Sequence, residues 1–294
     1  MDPQDKALAE FVLDKPKLAV LTGAGCSTAS GLGDYRDKSG QWKRKQPITG
    51  QRFIDNEGAR KRYWARSSVG WPSFSHAQPG QAHLALARLE QLGHIDLLIT
   101  QNVDSLHQKA GHAKVIDLHG ALATVSCIDC QHEISRDDFQ VELLHHNDWL
   151  NHLTADHAPD GDADLEVSDL GSMHVPPCPN CSGILKPDVV FFGENVPRDT
   201  VKEAMRSVEL ADALLVAGSS LMVYSGYRFC RHAHKLGIPI VIVNEGITRA
   251  DDLASLKVSG DCGTRLHRLA GNVNRARTDT AGADSTVHFP YASV

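Results

Sequence analysis

The sequence has no apolar run long enough to cross a membrane, and residues 1–6 lack the basic and apolar regions of a secretory signal. We therefore expect a cytoplasmic protein without a membrane partner. An excess of positive charge is also missing, since the formal net charge is −6. This balance argues against a general nucleic-acid-binding surface, and we predict no specific nucleic acid partner. One basic stretch, residues 38–66, departs from this balance.

The composition that is present suits a globular protein with a large core. Of the 294 residues, 41% are apolar and 22% are charged. Short apolar runs predict buried strands over 17–20, 95–100, 115–118, 187–192, 213–217 and 240–243, and amphipathic stretches alternate with several of them. This alternation is typical of an α/β fold, and we predict a Rossmann-like doubly wound parallel sheet with a small module inserted.

Breaks in the alternation indicate the domain organisation. We assign residues 1–37, 80–124 and 187–270 to the discontinuous Rossmann-like domain. A small domain is expected to combine a helical insertion over 38–79 with a cysteine-bearing module over 125–186. Within that module, residues 141–175 are rich in His, Asp and Gly and predict a long surface excursion. Residues 271–294 are expected to form a loose polar tail.

Four of the seven cysteines form two Cys-x-x-Cys pairs, Cys127 with Cys130 and Cys178 with Cys181. Two such pairs can complete a closed tetrahedral Zn²⁺ site, whereas the alternatives are redox pairs or disulfides. The separation between the pairs is longer than the usual ~15–20 residues. We predict a structural zinc ion in a zinc-ribbon module, and we do not expect the nearby His132 or His174 to bind it.

A glycine-rich segment, Gly23-Ala24-Gly25-Cys26-Ser27, follows the first predicted strand. Such a loop lets the backbone approach a pyrophosphate, with free N–H groups of the next helix facing the anion. A full dinucleotide fingerprint would place a third glycine at Thr28, and a plain glycine turn is the alternative. Asp34-Tyr35-Arg36 lies directly behind the loop and favours a nucleotide.

Polar residues follow four other predicted strands. Asn102 and Asp104 could hold a carboxamide, although a helix cap explains them equally well. His119 ends a strand before a glycine, where a general base would sit. The pattern continues after the last two strands, with the loops Gly218-Ser219-Ser220 and Asn244-Glu245-Gly246. Together with the glycine-rich segment, these loops would form one crevice, whereas His83, His94, His107 and His112 are expected to be structural.

These fragments together closely resemble the sirtuins, a family of NAD-dependent protein deacylases, from about residue 16 to residue 268. The resemblance rests on Gly-Ala-Gly-x-Ser, Ser-Gly-x-x-Asp-Tyr-Arg, Gln-Asn-Val-Asp, Leu-His-Gly, the four cysteines, Phe-Gly-Glu, Gly-Ser-Ser-Leu and Asn-Glu-Gly. Residues 63–66, 185–197 and 223–229 are similar to the class II branch. The resemblance implies that the Rossmann-like domain binds NAD and that acyl-lysine-bearing proteins are the partners.

The resemblance also implies roles for individual residues. His119 would be the catalytic base, with Asn102 and Asp104 beside the nicotinamide. The implied NAD-binding residues are Gly23, Ala24, Gly25, Cys26, Ser27, Asp34, Tyr35, Arg36, Trp42, Gln101, Asn102, Val103, Asp104, Gly218, Ser219, Ser220, Asn244, Glu245, Gly246 and Cys262. Cys26 stands where the family has a small or aliphatic residue, and we expect its thiol to pack rather than react.

The implied substrate site holds a peptide as an added strand between Gly193-Glu194 and residues 222–223. Val190, Phe192 and Val223 would flank the acyl-lysine. Tyr63 and Arg66 are similar to a pair that binds acidic acyl chains, and a surface arginine is an equal alternative.

The implied reaction is NAD-dependent lysine deacylation, which yields nicotinamide, free lysine and 2′-O-acyl-ADP-ribose. Two other functions stay open at this point. Protein mono-ADP-ribosylation would use the same NAD site with a different acceptor. A non-catalytic zinc-ribbon adaptor would use the basic stretch to bind nucleic acid or a protein.

Overall fold

The computed structural model describes residues 2–43, 47–154, 161, 163 and 170–284, with side chains described to residue 278. Its helices are α1 (Pro3–Asp14), α2 (Gly50–Asp55), α3 (Glu57–His76), α4 (Gln81–Gln91), α5 (Leu106–Lys109), α6 (Arg136–His146), α7 (Arg198–Glu209), α8 (Tyr224–Lys235) and α9 (Cys262–Asp284). Its strands are β1 (Leu18–Thr22), β2 (Ile95–Thr100), β3 (Val115–Asp117), β4 (Gly120–Cys127), β5 (Glu133–Ser135), β6 (Leu185–Val189), β7 (Ala213–Ala217), β8 (Ile240–Asn244) and β9 (Leu256–Ser259). Across these ranges, none of the helices combines the length and apolar content that a membrane span requires.

A six-stranded parallel sheet forms the larger part of the fold. Its strand order is β3-β2-β1-β7-β8-β9, and every neighbouring pair is parallel. Strands β1 and β7 are buried at all their positions, as strands covered by helices on both faces must be. The predicted doubly wound parallel sheet is therefore confirmed.

Helices cover the two faces of this sheet with separate apolar clusters. On one face, α1, α4 and α9 pack against β1 and β7, and Leu86 and Leu266 are fully buried there. On the other face, α7 and α8 bury Val208 and Phe229. The helices pack on the two faces of the sheet and leave its carboxyl edge uncovered. The loops that follow the parallel strands lie at this edge.

The smaller part of the fold is built on an antiparallel sheet with the order β5-β4-β6. Its core is aromatic, because Trp64 of α3 packs against both Phe53 of α2 and Phe139 of α6. Phe53 also contacts Phe191, just beyond β6. The helical insertion and the cysteine-bearing segment therefore share one core.

Two strand assignments differ from the sequence-based expectation. The run at 187–192 was predicted to continue the parallel alternation, but β6 covers only Leu185–Val189 and pairs antiparallel with β4. Residues 120–124 were assigned to the Rossmann-like domain, whereas they begin β4 of the small sheet. In 187–192 the apolar pattern predicted a fully buried strand, but only Pro187 and Phe191 are buried, and the pattern gave no information about which sheet the strand joins.

The regions expected to be irregular contain more helix than predicted. Helix α6 extends to His146 and a 3₁₀ turn covers Asp148–His152, so the predicted excursion begins later than residue 141. Most of 155–169 lies outside the described residues. The expected loose tail is wrong for residues 271–284, because α9 continues to Asp284 and Val273 is fully buried against the sheet. Residues 285–294 lie outside the described range.

Candidate active site

The crevice opens where the strand order of the parallel sheet reverses, between β1 and β7. The Gly25 N–H donates to Gly218 O at 2.8 Å, and the Gly23 N–H donates to Ala217 O at 3.1 Å. A Cβ atom on Gly25 would lie 2.9 Å from the Gly218 Cα, so glycine is required for this approach. Gly218 has a φ of +60°, which also favours glycine. The two loops therefore form one wall of the crevice.

Asn102, Asp104 and Ser27 form a connected polar group next to this wall. Asn102 Nδ2 donates to Ser27 Oγ at 3.0 Å, and Ser27 Oγ donates to Asp104 Oδ2 at 2.6 Å. The other Asp104 oxygen accepts from the Leu106 N–H at 2.9 Å, which is the helix-cap alternative considered above. A carboxylate has about four lone-pair sites, so the cap leaves capacity for a ligand.

His119 lies between the two sheets, after β3 and before β4. Its Nδ1 is 2.8 Å from Gln101 O, and its Nε2 is 2.7 Å from Ser225 Oγ. Burial and then the positive charge of Arg228 lower the pKa of His119, while the Gln101 carbonyl opposes them. The shift from an ordinary value of about 6.5 makes the neutral imidazole the dominant form at pH 7. His119 can therefore accept a proton.

Aromatic and cationic side chains cover the loop behind the glycine turn. The Arg36 guanidinium stacks over Trp42 at 4.1 Å from the ring centroid and donates to Gly40 O at 2.8 Å. Tyr35 meets the same Trp42 ring edge-on at 6.2 Å. Across the crevice, Ser219 Oγ accepts from Gln101 Nε2 at 2.8 Å. These contacts fix the position of the walls before a ligand binds.

One cavity of about 1140 Å³ collects nearly all of the predicted site residues. It is lined by His119, Asn102, Asp104, Gly23, Ala24, Gly25, Ser27, Asp34, Tyr35, Arg36, Trp42, Gln101, Val103, Gly218, Ser219, Ser220, Asn244, Glu245, Gly246 and Cys262, and by the substrate candidates Tyr63, Arg66, Val190, Phe192, Gly193, Glu194 and Val223. Five loops that follow strands and are separate in sequence thus line one cavity. Residues of the small domain line the cavity wall that faces these loops.

Cys26 is the exception among the predicted cofactor-binding residues. Its side chain is 1% exposed and does not line the cavity. The thiol lies behind the wall, 3.4 Å from Ala217 O and 3.7 Å from the Cys262 sulfur. The hydrogen bond with Cys262 and then burial raise the pKa of Cys26 well above its ordinary value, so it stays a thiol. The structure supports the packing role and not a cofactor contact.

Among the cavity residues that sequence reasoning missed are Ser225 and Arg228, on the first turns of α8. Both lie in the stretch 223–229 that carried part of the family resemblance, but only Val223 was assigned to the site. Their spacing of three residues on a helix that follows a predicted strand-end loop is the signal that could have found them. The four histidines expected to be structural do not line this cavity.

The four cysteine sulfurs lie within 4.8 Å of one another. Cys127 Sγ is 3.5 Å from Cys181 Sγ, and Cys130 Sγ is 3.7 Å from Cys178 Sγ. A tetrahedral zinc ion with Zn–S bonds of about 2.3 Å would set these sulfurs about 3.8 Å apart. The residues present therefore fit a structural zinc ion with no open coordination position.

The backbone around the cysteines supports the same conclusion. Gln131 and Ser182, each directly after a Cys-x-x-Cys pair, have positive φ angles and donate N–H groups back to Cys127 O and Cys178 O. The two Cys-x-x-Cys segments therefore form matching turns, of the kind known as zinc knuckles. Among the described residues, the group of potential metal ligands consists of these four cysteines.

Comparison with known proteins gives consistent matches. The family model described as Sir2 family matches residues 23–225. The NAD-dependent protein deacetylase 2 of Bradyrhizobium diazoefficiens is 56% identical over 263 residues, which cover 89% of this chain and 96% of the relative. The NAD-dependent protein deacetylase of Xanthomonas campestris pv. campestris strain 8004 is 54% identical over 275 residues, 94% of each chain.

Solved structures agree with these matches. A structure described as Sir2-p53 peptide-NAD+ has a TM-score of 0.70 and 31% identity, and the match covers 96% of this chain and 99% of that chain. Another, described under structural basis for the mechanism and regulation of Sir2 enzymes, has a TM-score of 0.74 and 30% identity, with coverage of 94% and 100%.

Replacing Arg228 by leucine should raise the pKa of His119, because it removes a positive charge that disfavours the imidazolium. The measurement is an NMR pH titration of the His119 ring, assigned with a His119→Asn variant. Arg231→Leu, at an exposed position of the same helix, is the matched control. A His119 titration that moves to lower pH, or moves equally in both variants, would contradict the assignment of the shift to Arg228.

The purified protein should contain about one zinc ion per chain. Cys130→Ala should lose the metal and lower the melting temperature, because the small domain loses a closed four-ligand site. Cys230→Ala removes a buried thiol outside the cluster and should keep the zinc. Elemental analysis with thermal unfolding measures both properties, and a metal-free wild type of unchanged stability would refute the zinc site.

Proposed function

Because this chain belongs to the Sir2 family and is an NAD-dependent protein deacetylase, we propose that His119 is the general base of its reaction. The observation that carries the proposal is the position of His119, which lines the same cavity as the glycine-rich loop, Asn102 and Asp104 and whose pKa is lowered by burial. A base is needed once in this chemistry, after nicotinamide has left.

The proposed reaction begins when the carbonyl oxygen of the acyl-lysine attacks C1′ of the nicotinamide ribose, and the C1′–nitrogen bond to nicotinamide breaks. His119 then takes the proton of a ribose hydroxyl, whose oxygen attacks the imidate carbon. Water completes the release of free lysine and 2′-O-acyl-ADP-ribose. The cationic intermediate must be kept from water, and Tyr35 and Trp42 are the aromatic side chains that line the cavity beside the glycine-rich loop.

The nicotinamide carboxamide is proposed to bind at Asn102 and Asp104. Ser27 links these two side chains, so they are held in a fixed relative position before NAD arrives. Asp104 is nearly buried and keeps lone pairs that can accept from an amide N–H. Asn102 also donates to Gly23 O at 3.2 Å, which ties this pocket to the glycine-rich loop.

The rest of NAD is proposed to follow the reversal point of the sheet. The glycine-rich loop and Ser219 would bind the phosphates, where close backbone approach is possible. Asn244 follows β8 and would bind the adenosine ribose, with Cys262 at the start of α9 beside the adenine. Glu245 forms a 2.6 Å ion pair with Lys38, so its carboxylate is partly engaged already.

The acyl-lysine peptide is proposed to bind as an added strand between Gly193-Glu194 and residues 222–223. The Phe192 carbonyl already accepts from the Gly50 N–H at 3.0 Å, which fixes the inner side of this segment. Val223 is 38% exposed at the mouth of the cavity. Recognition through backbone hydrogen bonds tolerates many peptide sequences, so an acyl-lysine in an accessible segment is the required feature of a protein partner.

The acyl group itself is proposed to extend toward Tyr63 and Arg66 of α3. Tyr63 packs edge-on against Phe191 at 5.2 Å, and Arg66 lines the same cavity while partly buried. Arg52 and Arg62 add positive charge to this end. A guanidinium in such a site can pair with a carboxylate through two hydrogen bonds, which favours acyl chains that end in an acid.

His119→Ala should lower deacetylation of an acetyl-lysine peptide by about a hundredfold or more, because a positioned base contributes about 10²–10⁴. NAD binding and exchange of labelled nicotinamide should persist, since they precede the base step. His234→Ala, at an exposed histidine of α8, is the control. Deacetylation near the wild-type rate in the His119 variant would remove the base assignment, and loss of NAD binding would make its role structural.

Arg66→Met should slow removal of glutaryl groups by about tenfold or more relative to acetyl groups, because it removes a charge-assisted hydrogen bond to the terminal carboxylate. Rates with acetyl-, glutaryl- and lipoyl-lysine peptides provide the comparison. Arg62→Met removes the same charge from an exposed cavity position and separates direct pairing from general attraction. Equal slowing of all three substrates would contradict the carboxylate role of Arg66.

A further inference from the structure

The proton-accepting nitrogen of His119 already has a partner in the protein. Because Gln101 O can only accept, the nearby Nδ1 carries the hydrogen of the neutral ring, and Nε2 presents its lone pair. Ser225 Oγ lies 2.7 Å from that Nε2 and can only be the donor in this state. The atom that must receive the proton in the proposed reaction is therefore hydrogen-bonded to Ser225.

The position of Ser225 is built into the packing of α8. Ser225 is the second residue of the helix and is partly buried. The next residue is Gly226, where a Cβ atom would lie 2.3 Å from the Gln101 side-chain oxygen. Glycine at this position leaves room for the Gln101 side chain, whose Nε2 donates to Thr22 O and Ser219 Oγ. The Gln101 backbone carbonyl thus accepts from His119 Nδ1. The Gln101 side chain contacts α8, the helix that carries the Ser225 partner of His119 Nε2.

We propose that Ser225, which lines the cavity, passes the proton of the ribose hydroxyl on to Nε2 of His119 and holds the imidazole ring in place. This inference rests on the proposed role of His119 as the base. Serine suits the task because its hydroxyl can both donate and accept. It donates to the neutral ring before proton transfer, and it accepts from the Nε2–H of the imidazolium afterwards.

The change of the Ser225 hydroxyl from donor to acceptor accounts for the protons in this step. Because Nε2 has one lone pair and Ser225 already donates to it, the proton reaches Nε2 through the serine. The Ser225 hydroxyl gives its proton to Nε2 and takes the proton of the ribose hydroxyl, whose oxygen forms the bond to the imidate carbon. The serine hydroxyl is regenerated by the proton that it takes from the substrate, and its oxygen now accepts from the Nε2–H. The imidazole ring therefore keeps one orientation through the step, held by Gln101 on one side and Ser225 on the other. An alanine would leave the Gln101 contact alone, and the ring could rotate about it.

The order of the reaction separates this role from a purely structural one. Nicotinamide leaves before the base acts, so exchange of labelled nicotinamide reports the first stage alone. Ser225→Ala should lower acetyl-lysine deacetylation by about tenfold, the loss expected from one hydrogen bond, while nicotinamide exchange stays within about twofold. Ser225→Thr keeps a hydroxyl and should restore most of the deacetylation rate.

Two further variants complete the test. Ser207→Ala on α7 alters a serine outside the cavity and should leave both rates unchanged. In a His119→Ala background, Ser225→Ala should cause no further loss of deacetylation, because there is no base to position. If Ser225→Ala leaves the ratio of deacetylation to nicotinamide exchange unchanged, the proposal for Ser225 is overturned. If instead His119→Ala deacetylates normally, the base assignment itself fails, whatever Ser225 does.

Discussion

The backbone contact between Gly25 and Gly218 is the constraint on which the rest of the structure depends. At the reversal of strand order, the loops after β1 and β7 turn toward opposite faces of the sheet and leave a crevice between them. Their 2.8 Å hydrogen bond brings the two backbones together with no space for a side chain. Everything that would hold the dinucleotide is attached to one of these loops or packed against them, so the crevice exists before any ligand binds.

The sequence was sufficient to predict the parallel sheet and its functional edge for a physical reason. Strands buried on both faces leave continuous apolar runs, as at Leu18–Thr22 and Ala213–Ala217. The carboxyl ends of parallel strands share one edge, so the polar residues that follow them converge whatever the strand order. Convergence of Asn102, His119 and Ser219 could therefore be predicted without knowing which strands are neighbours.

Other features depend on packing that no local pattern records. An apolar run such as 187–192 indicates burial, but β6 joins the antiparallel sheet because β4 offers it a partner. The direction of Ser225 depends on the rotation of α8, which is set by contact between Gly226 and Gln101. The extension of α9 is different, since Leu266 and Val273 are one heptad apart and both buried. That spacing of seven residues is present in the sequence and indicates the longer helix.

His119 belongs fully to neither sheet, and this position explains its chemistry. Its ring is held from β2 by Gln101 O, and its backbone carbonyl accepts from the Val190 N–H at 2.8 Å, directly after β6. Burial is the largest cause of its lowered pKa, and that burial needs both parts of the fold in contact. Separating them would hydrate the ring and move its pKa back toward about 6.5. The contact between the two sheets that buries the ring therefore also favours its neutral, proton-accepting form.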